Sequence, residues 1–258
     1  MKRLVRHIPN TLTCANLSFG FYASALGYSG EYYAAMIAIL IAAVFDFADG
    51  FAARLLKAYS PIGKELDSLA DVVSFGVAPG MMLFGFLDEL LHTLQWDSFP
   101  AKLLLLAAFA PPVFSALRLA KFNIDDRQKT FFIGLPVPAH AILWASLVAA
   151  LSPTTVAYET YPVGITFAAT FSTLPHVGLL FTLSALAIAT SLLLVSTIPM
   201  FSLKMTSPSF ASNKLAYIQL FLSVILILSL GLIGLTASIV IYIALSVLIY
   251  RKSVDVRL

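Results

Sequence analysis

The chain has 258 residues, of which 60% are hydrophobic and 11% charged, with a formal net charge of +3. A mean hydropathy of +0.92 excludes an ordinary soluble domain, and a lone cysteine, Cys14, excludes a disulfide framework or a thiolate metal centre. The small positive excess points to membrane topology and anionic lipid headgroups, with no nucleic-acid partner.

In chain order, hydrophobic runs of roughly membrane-crossing length fall at about 12–28, 32–56, 66–87, 101–122, 136–152, 176–200, 215–233 and 236–250. They predict an all-α integral membrane protein, a bundle of about eight transmembrane helices forming a single membrane-embedded domain over 1–258. Its catalytic core spans about 8–205 and its C-terminal helix pair about 215–250. The first run follows Met1-Lys2-Arg3 with no Ala-x-Ala-like site, so it reads as an uncleaved span. Gly231 and Gly234 alone punctuate the last two. With the N-terminus inside, fifteen of the sixteen Lys and Arg residues fall on the inner side and only Lys102 outside. That positive-inside bias predicts cytoplasmic N- and C-termini in a multi-pass protein of the cell (inner) membrane.

Four aspartates interrupt this apolar background. The second run closes on Asp46-x-x-Asp49-Gly50-x-x-Ala53-Arg54, and the third opens, after Gly63, with Asp67 and Asp71. A carboxylate at the helix centre costs about 2.5–3.5 kcal/mol even on lenient insertion scales, so the group needs compensation. Asp46 and Asp49 are spaced i,i+3 and Asp67 and Asp71 i,i+4, which puts each pair on one helix face. Gly50 and Ala53 give the first face a small-residue notch for close approach. Acidic residues at helix N-termini commonly complement the dipole, which would cover Asp67 and Asp71 but not Asp46 and Asp49. Two helices meeting at these faces would turn four hard oxygen donors into one cavity, a set suited to Mg²⁺ or Mn²⁺. The four histidines lack metal-ligand spacing, and His140, inside the fifth run, reads as a packing residue.

Asp46, Asp49, Gly50, Ala53, Arg54, Gly63, Asp67 and Asp71 together resemble the complete signature of the CDP-alcohol phosphatidyltransferases, integral membrane enzymes of phospholipid synthesis. The resemblance implies transfer of a phosphatidyl group from a CDP-linked lipid to an alcohol, with release of CMP. It also implies two divalent ions, Mg²⁺ or Mn²⁺, on the four aspartates, and a homodimer. Asp71 is implied as the proton acceptor. Asp49, Gly50, Ala53 and Gly63, with Arg54 for charge, are implied to hold the CDP-lipid.

Four further stretches are similar to the integral-membrane phosphatidylserine synthases: Val72 to Pro79, Arg118 to Asn123, Phe132 to Ala139, and Ser196 to Lys204. Lys121 stands where many of those relatives carry arginine. This resemblance covers most of residues 8–205 and implies CDP-diacylglycerol as donor and L-serine as acceptor, with membrane lipids as surroundings. A serine pocket needs fixed positive groups and a polar acceptor. Arg118, Lys121, Asn123 and Lys204 gather on the cytoplasmic side, and an arginine fork matches a carboxylate. The alternatives are a transferase on the same scaffold with another acceptor (glycerol 3-phosphate, inositol phosphate or choline) and a cation transporter. A transporter would spread carboxylates through mid-membrane depth in several spans, whereas these cluster at one edge.

Overall fold

The structure, a computed structural model, describes residues 7–124, 132–152, 175–201 and 213–255. Helix α1 is Ile8–Tyr28 and α2 is Tyr32–Leu55. Helix α3 is the continuous run Pro61–Thr93, α-helical over Pro61–Asp71 and Ala78–Thr93 with a π-turn, Val72–Val77, between them. Helix α4, Phe99–Ile124, passes through a 3₁₀ stretch at Leu103–Phe109 before its α-helical half, Ala110–Ile124. The remaining helices are α5 (Val137–Leu151), α6 (His176–Leu194), α7 (Lys214–Leu230) and α8 (Leu232–Asp255).

The all-α membrane architecture expected from the sequence is the one observed. Among the described residues, α2, α3, α4, α6 and the Leu232–Ile249 part of α8 are long and apolar enough to cross a membrane. Helix α1 has the length, but Asn10, Thr11, Thr13, Asn16 and Ser18 dilute its first half. Helices α5 and α7 are apolar but short, at 15 and 17 residues. Helix α5 is the centre of the bundle: Trp144, Val148 and Ala149 are all but fully buried, and a helix so enclosed is apolar all round.

Small residues set how closely the helices pack. A Cβ on Gly20 would lie 2.6 Å from Ser74 Cα, and one on Gly27 would lie 2.6 Å from Met82 Cγ, so α1 lies almost backbone to backbone against α3. On its other side α3 meets α4 the same way, where a Cβ on Gly80 would fall 2.9 Å from the Ala108 carbonyl oxygen. This is the packing expected where apolar solvent offers no hydrophobic drive and close contact must supply the attraction. Around it lies a core including Tyr32, Met36 and Ile39 of α2, Phe75, Met82 and Leu83 of α3, and Leu180 of α6.

The segment before α5 folds back on the end of α6. Phe132 and Ile133 pair antiparallel with Met200 and Pro199, and the Gly134 and Leu135 amides donate to the carbonyls of Ile198 (2.8 Å) and Leu193 (2.9 Å). Gly134 has φ +77, and a Cβ there would come 2.5 Å from the Leu194 carbonyl oxygen, so glycine is required on both counts. Between α7 and α8 the chain turns at Gly231, φ 61, confirming the break that the sequence marks only by its glycines.

Candidate active site

The site lies where the N-terminal half of α1, the C-terminal third of α2 and the start of α3 come together. Helix α3 begins at a well-made N-terminus: Ser60 caps it, accepting the Gly63 amide at 3.0 Å, and Pro61 follows in the first turn. One turn further in, Asp67 faces α2. Carboxylate oxygens of Asp46, Asp49 and Asp67 all lie within 4.8 Å of one another. Asp71 completes the group, with its side chain beside that of Asp46. The two sequence pairs thus converge across the α2–α3 interface as the spacing predicted.

Asp49 is buried, and Thr13 of α1 donates its hydroxyl to Asp49 Oδ2. Asn16, also of α1 and fully buried, donates its Nδ2 to Asp71 Oδ1 at 3.3 Å. Asp67 Oδ1 is buried without a hydrogen-bond partner among the described residues. Three close carboxylates, one with an orphaned oxygen, are hard donors with unspent acceptor capacity, and a divalent cation fits them chemically.

Beside the carboxylates opens a cavity of about 200 Å³. Asp49, Gly50, Ala53, Arg54 and Gly63, the residues expected to hold the CDP-lipid, all line it, together with Asp67, Lys64 and Tyr59. Gly63 and Ala53 keep the walls thin: a Cβ on Gly63 would lie 2.9 Å from Ser60 Oγ and 3.0 Å from Asn10 Oδ1. Arg54 is exposed at the mouth. The arrangement can receive a polyanion between one arginine, one lysine and the carboxylate group.

The residues expected to bind the acceptor fall in different surroundings. Arg118 is buried and uses Nη1 to hold two carbonyl oxygens, Ile133 at 2.9 Å and Leu194 at 3.3 Å. It therefore pins the loop before α5 to the end of α6. Asn123 donates Nδ2 to Ser68 Oγ at 2.9 Å and accepts Lys64 Nζ on its carbonyl at 3.2 Å, so it sits against α3 at Lys64 and Ser68. Lys121 is exposed. Lys204 lies outside the described residues. His140 is buried against Thr190 (3.2 Å), which also accepts Trp144 Nε1 at 3.0 Å, consistent with a packing role.

Sequence reasoning missed the contribution of α1. Asn10, Thr13 and Asn16 recur every third residue, one polar stripe along a helix whose other half is apolar, and that spacing was the available signal.

Residues 6–171 match the family model described as CDP-alcohol phosphatidyltransferase. The chain is 37% identical over 134 residues to the CDP-diacylglycerol–serine O-phosphatidyltransferase of Bacillus subtilis (strain 168), an alignment covering 52% of this chain and 71% of that one. It is 35% identical over 151 residues to the enzyme of that name from Mycobacterium leprae (strain TN), covering 55% and 46% of the two chains. With the Methanocaldococcus jannaschii enzyme of the same name it shares 41% identity over 105 residues, covering 41% and 45%. The alignments thus span about half the length of the mycobacterial and archaeal relatives.

Proposed function

This chain belongs to the CDP-alcohol phosphatidyltransferase family, and on that premise we propose that it transfers the phosphatidyl group of CDP-diacylglycerol to the hydroxyl of L-serine, giving phosphatidylserine and CMP. The observation that carries the reading is the convergence of Asp46, Asp49 and Asp67 at one edge of a cavity lined by the signature's small residues. The relatives named for serine carry the choice of acceptor.

The acceptor's oxygen forms a new bond to the phosphatidyl phosphorus, the bond from that phosphorus to the CMP oxygen breaks, and the hydroxyl proton passes to a carboxylate. Asp71 takes that proton; a hydroxyl is a poor nucleophile until a base accepts its proton during attack. Gly50, Ala53 and Gly63 leave room for the nucleotide and diphosphate, and Arg54 and Lys64 offset their charge. Asp46, Asp49, Asp67 and Asp71 would hold Mg²⁺ or Mn²⁺, two ions, whose positive charge would offset that of the phosphates. The serine carboxylate is held by Arg118 and Lys121 with Asn123 and Lys204. A guanidinium has five N–H donors, so Arg118 can pin the loop through Nη1 and still offer donors.

The same reading puts the site at the cytoplasmic face of the inner membrane, which the basic residues at the site end of the bundle (Arg54, Lys57, Lys64 and Lys121) support, and makes the enzyme a homodimer. The test is purified protein with CDP-diacylglycerol, Mn²⁺ and a panel of labelled alcohols. Serine should give the lipid product; equal turnover of glycerol 3-phosphate would overturn the acceptor and leave the family reaction standing.

A further inference from the structure

Asp71 stands at a change of helix geometry. Helix α3 is α-helical up to Asp71 and becomes a π-turn at the next residue. Such turns recur at functional sites because the widened turn re-aims the side chains around it. This one is gripped from α1. Ser74 Oγ donates to the backbone carbonyl of Asn16 at 3.0 Å, and the same Asn16 sends its side-chain amide to Asp71 Oδ1 at 3.3 Å. Gly20, one helical turn along, admits the contact, since any Cβ there would strike Ser74. Asn16 is 0% exposed, yet its Oδ1 has no hydrogen-bond partner among the described residues. A buried amide half unpaired is costly, and an apolar side chain of the same size would remove that cost. What it would lose is the Nδ2 donor aimed at Asp71.

We propose that Asn16 is a positioning residue for the transfer step: its side-chain amide fixes the Asp71 carboxylate while its backbone carbonyl fixes the π-turn that follows. The inference rests on the reading of Asp71 as proton acceptor. The amide engages one acceptor position of one carboxylate oxygen, and the carboxylate keeps acceptor capacity for a cation and for the hydroxyl proton of the acceptor. Asp46, Asp49 and Asp67 converge without Asn16, so three of the four carboxylates proposed to hold the metal do not depend on it.

Asn16→Leu, nearly isosteric, deletes the amide and keeps the carbonyl; Ser74→Ala deletes the other grip. Full-length protein in lipid nanodiscs is assayed for kcat, both KM values and Mn²⁺-dependent binding of CMP by calorimetry. For Asn16→Leu, kcat should fall roughly 10–100-fold, as for other residues that orient a functional side chain, while both KM values and CMP affinity stay within about twofold. Ser74→Ala should lower kcat in the same sense by less. In an Asp71→Asn background, Asn16→Leu should cost nothing further, because the group it orients is gone. An unchanged kcat in Asn16→Leu beside an inactive Asp71→Asn overturns the positioning role and leaves the base intact. An active Asp71→Asn overturns the base, and the positioning role with it. Loss of CMP affinity in parallel with kcat means that Asn16 only holds helices together, which also overturns the proposal. If Asn16→Leu does not accumulate, Ser74→Ala decides, and an unchanged kcat there is the negative result.

Discussion

Two parts of this molecule bury polar groups in an apolar bundle, and they do it in opposite ways. In the α7–α8 hairpin the groups are neutral and turned toward one another. Gln219 Nε2 donates to the Ser238 carbonyl at 3.0 Å, the Ser223 and Ser238 hydroxyls hydrogen-bond to each other, and Ser146 of α5 meets Thr236 at 2.8 Å. Residues 215–250 contain no Asp, Glu, Lys, Arg or His. At the junction of α1, α2 and α3 the groups are charged and gather beside a cavity. The Asp67 and Asn16 oxygens there have no hydrogen-bond partner among the described residues, and neither has Gln219 Oε1 in the hairpin, so charge and the cavity are what set the two regions apart. Hydrogen bonds of the first kind stabilise helix contacts by about 0.6 kcal/mol each. Ionised groups cost several times that and persist where a partner, a water-filled cavity or a bound cation offsets the charge. Polarity alone does not mark a membrane active site; charge, small residues and an opening together do.

The comparison can be broken at its charged end first. Chelation with excess EDTA should abolish turnover and Mn²⁺ should restore it, and Asp46→Asn or Asp67→Asn should lower turnover by about 10²-fold or more, since losing several kcal/mol of charge stabilisation has that scale. Full activity in EDTA would end the metal assignment. The next effect is steric. Ala53→Leu projects into the cavity and should raise the KM for CDP-diacylglycerol roughly tenfold, the cost of overpacking by about 1–3 kcal/mol, with little change for serine. An unaltered KM would mean that the lipid nucleotide binds elsewhere. Lys121→Ala should raise the serine KM by up to about tenfold, for a charge-assisted contact worth roughly 1.5 kcal/mol. Arg118→Ala should do the same and also lower thermal stability, because the Ile133 and Leu194 carbonyls lose their donor. A melting curve for Arg118→Ala matching wild type would contradict the clamp. The smallest effect belongs to the hairpin: Ser223→Ala should cost under about 1 kcal/mol and leave kcat and both KM values unchanged. A kinetic defect there would show that the two regions are not separate.

Charge was what made the sequence readable. The two aspartate pairs announce themselves because carboxylates in an apolar run are rare, and their spacing fixes the faces that meet. The helix runs were equally plain, since every backbone polar group in lipid must pair within its segment. Thr13 and Asn16 were not legible in this way: a neutral residue in a span reads as interhelical glue, and only the approach of α1 to Asp49 and Asp71 separates the two roles. Arg118 shows the converse. It shares a short stretch with Lys121 and Asn123, but residues on one helix turn differ in heading, and the buried heading of Arg118 is set by a loop distant in sequence. The π-turn after Asp71 had no signal in composition, because it is imposed by Ser74 and the neighbouring helices.

Helix α3 is 33 residues long, about 50 Å at 1.5 Å per residue, against a hydrocarbon layer of about 30 Å. Its apolar run, about 66–87, is close to that thickness at about 33 Å, so the polar Pro61 end projects into the headgroup layer. A thicker or thinner bilayer is met by a change of tilt or by stretching of the lipid. Asp67 and Asp71 lie six and ten residues from the Pro61 end, so their height relative to the lipid phosphates follows the tilt of this one helix. Bilayer thickness therefore becomes an input to the proposed chemistry: longer or shorter host acyl chains should raise or lower the carboxylates against the diphosphate proposed to meet them.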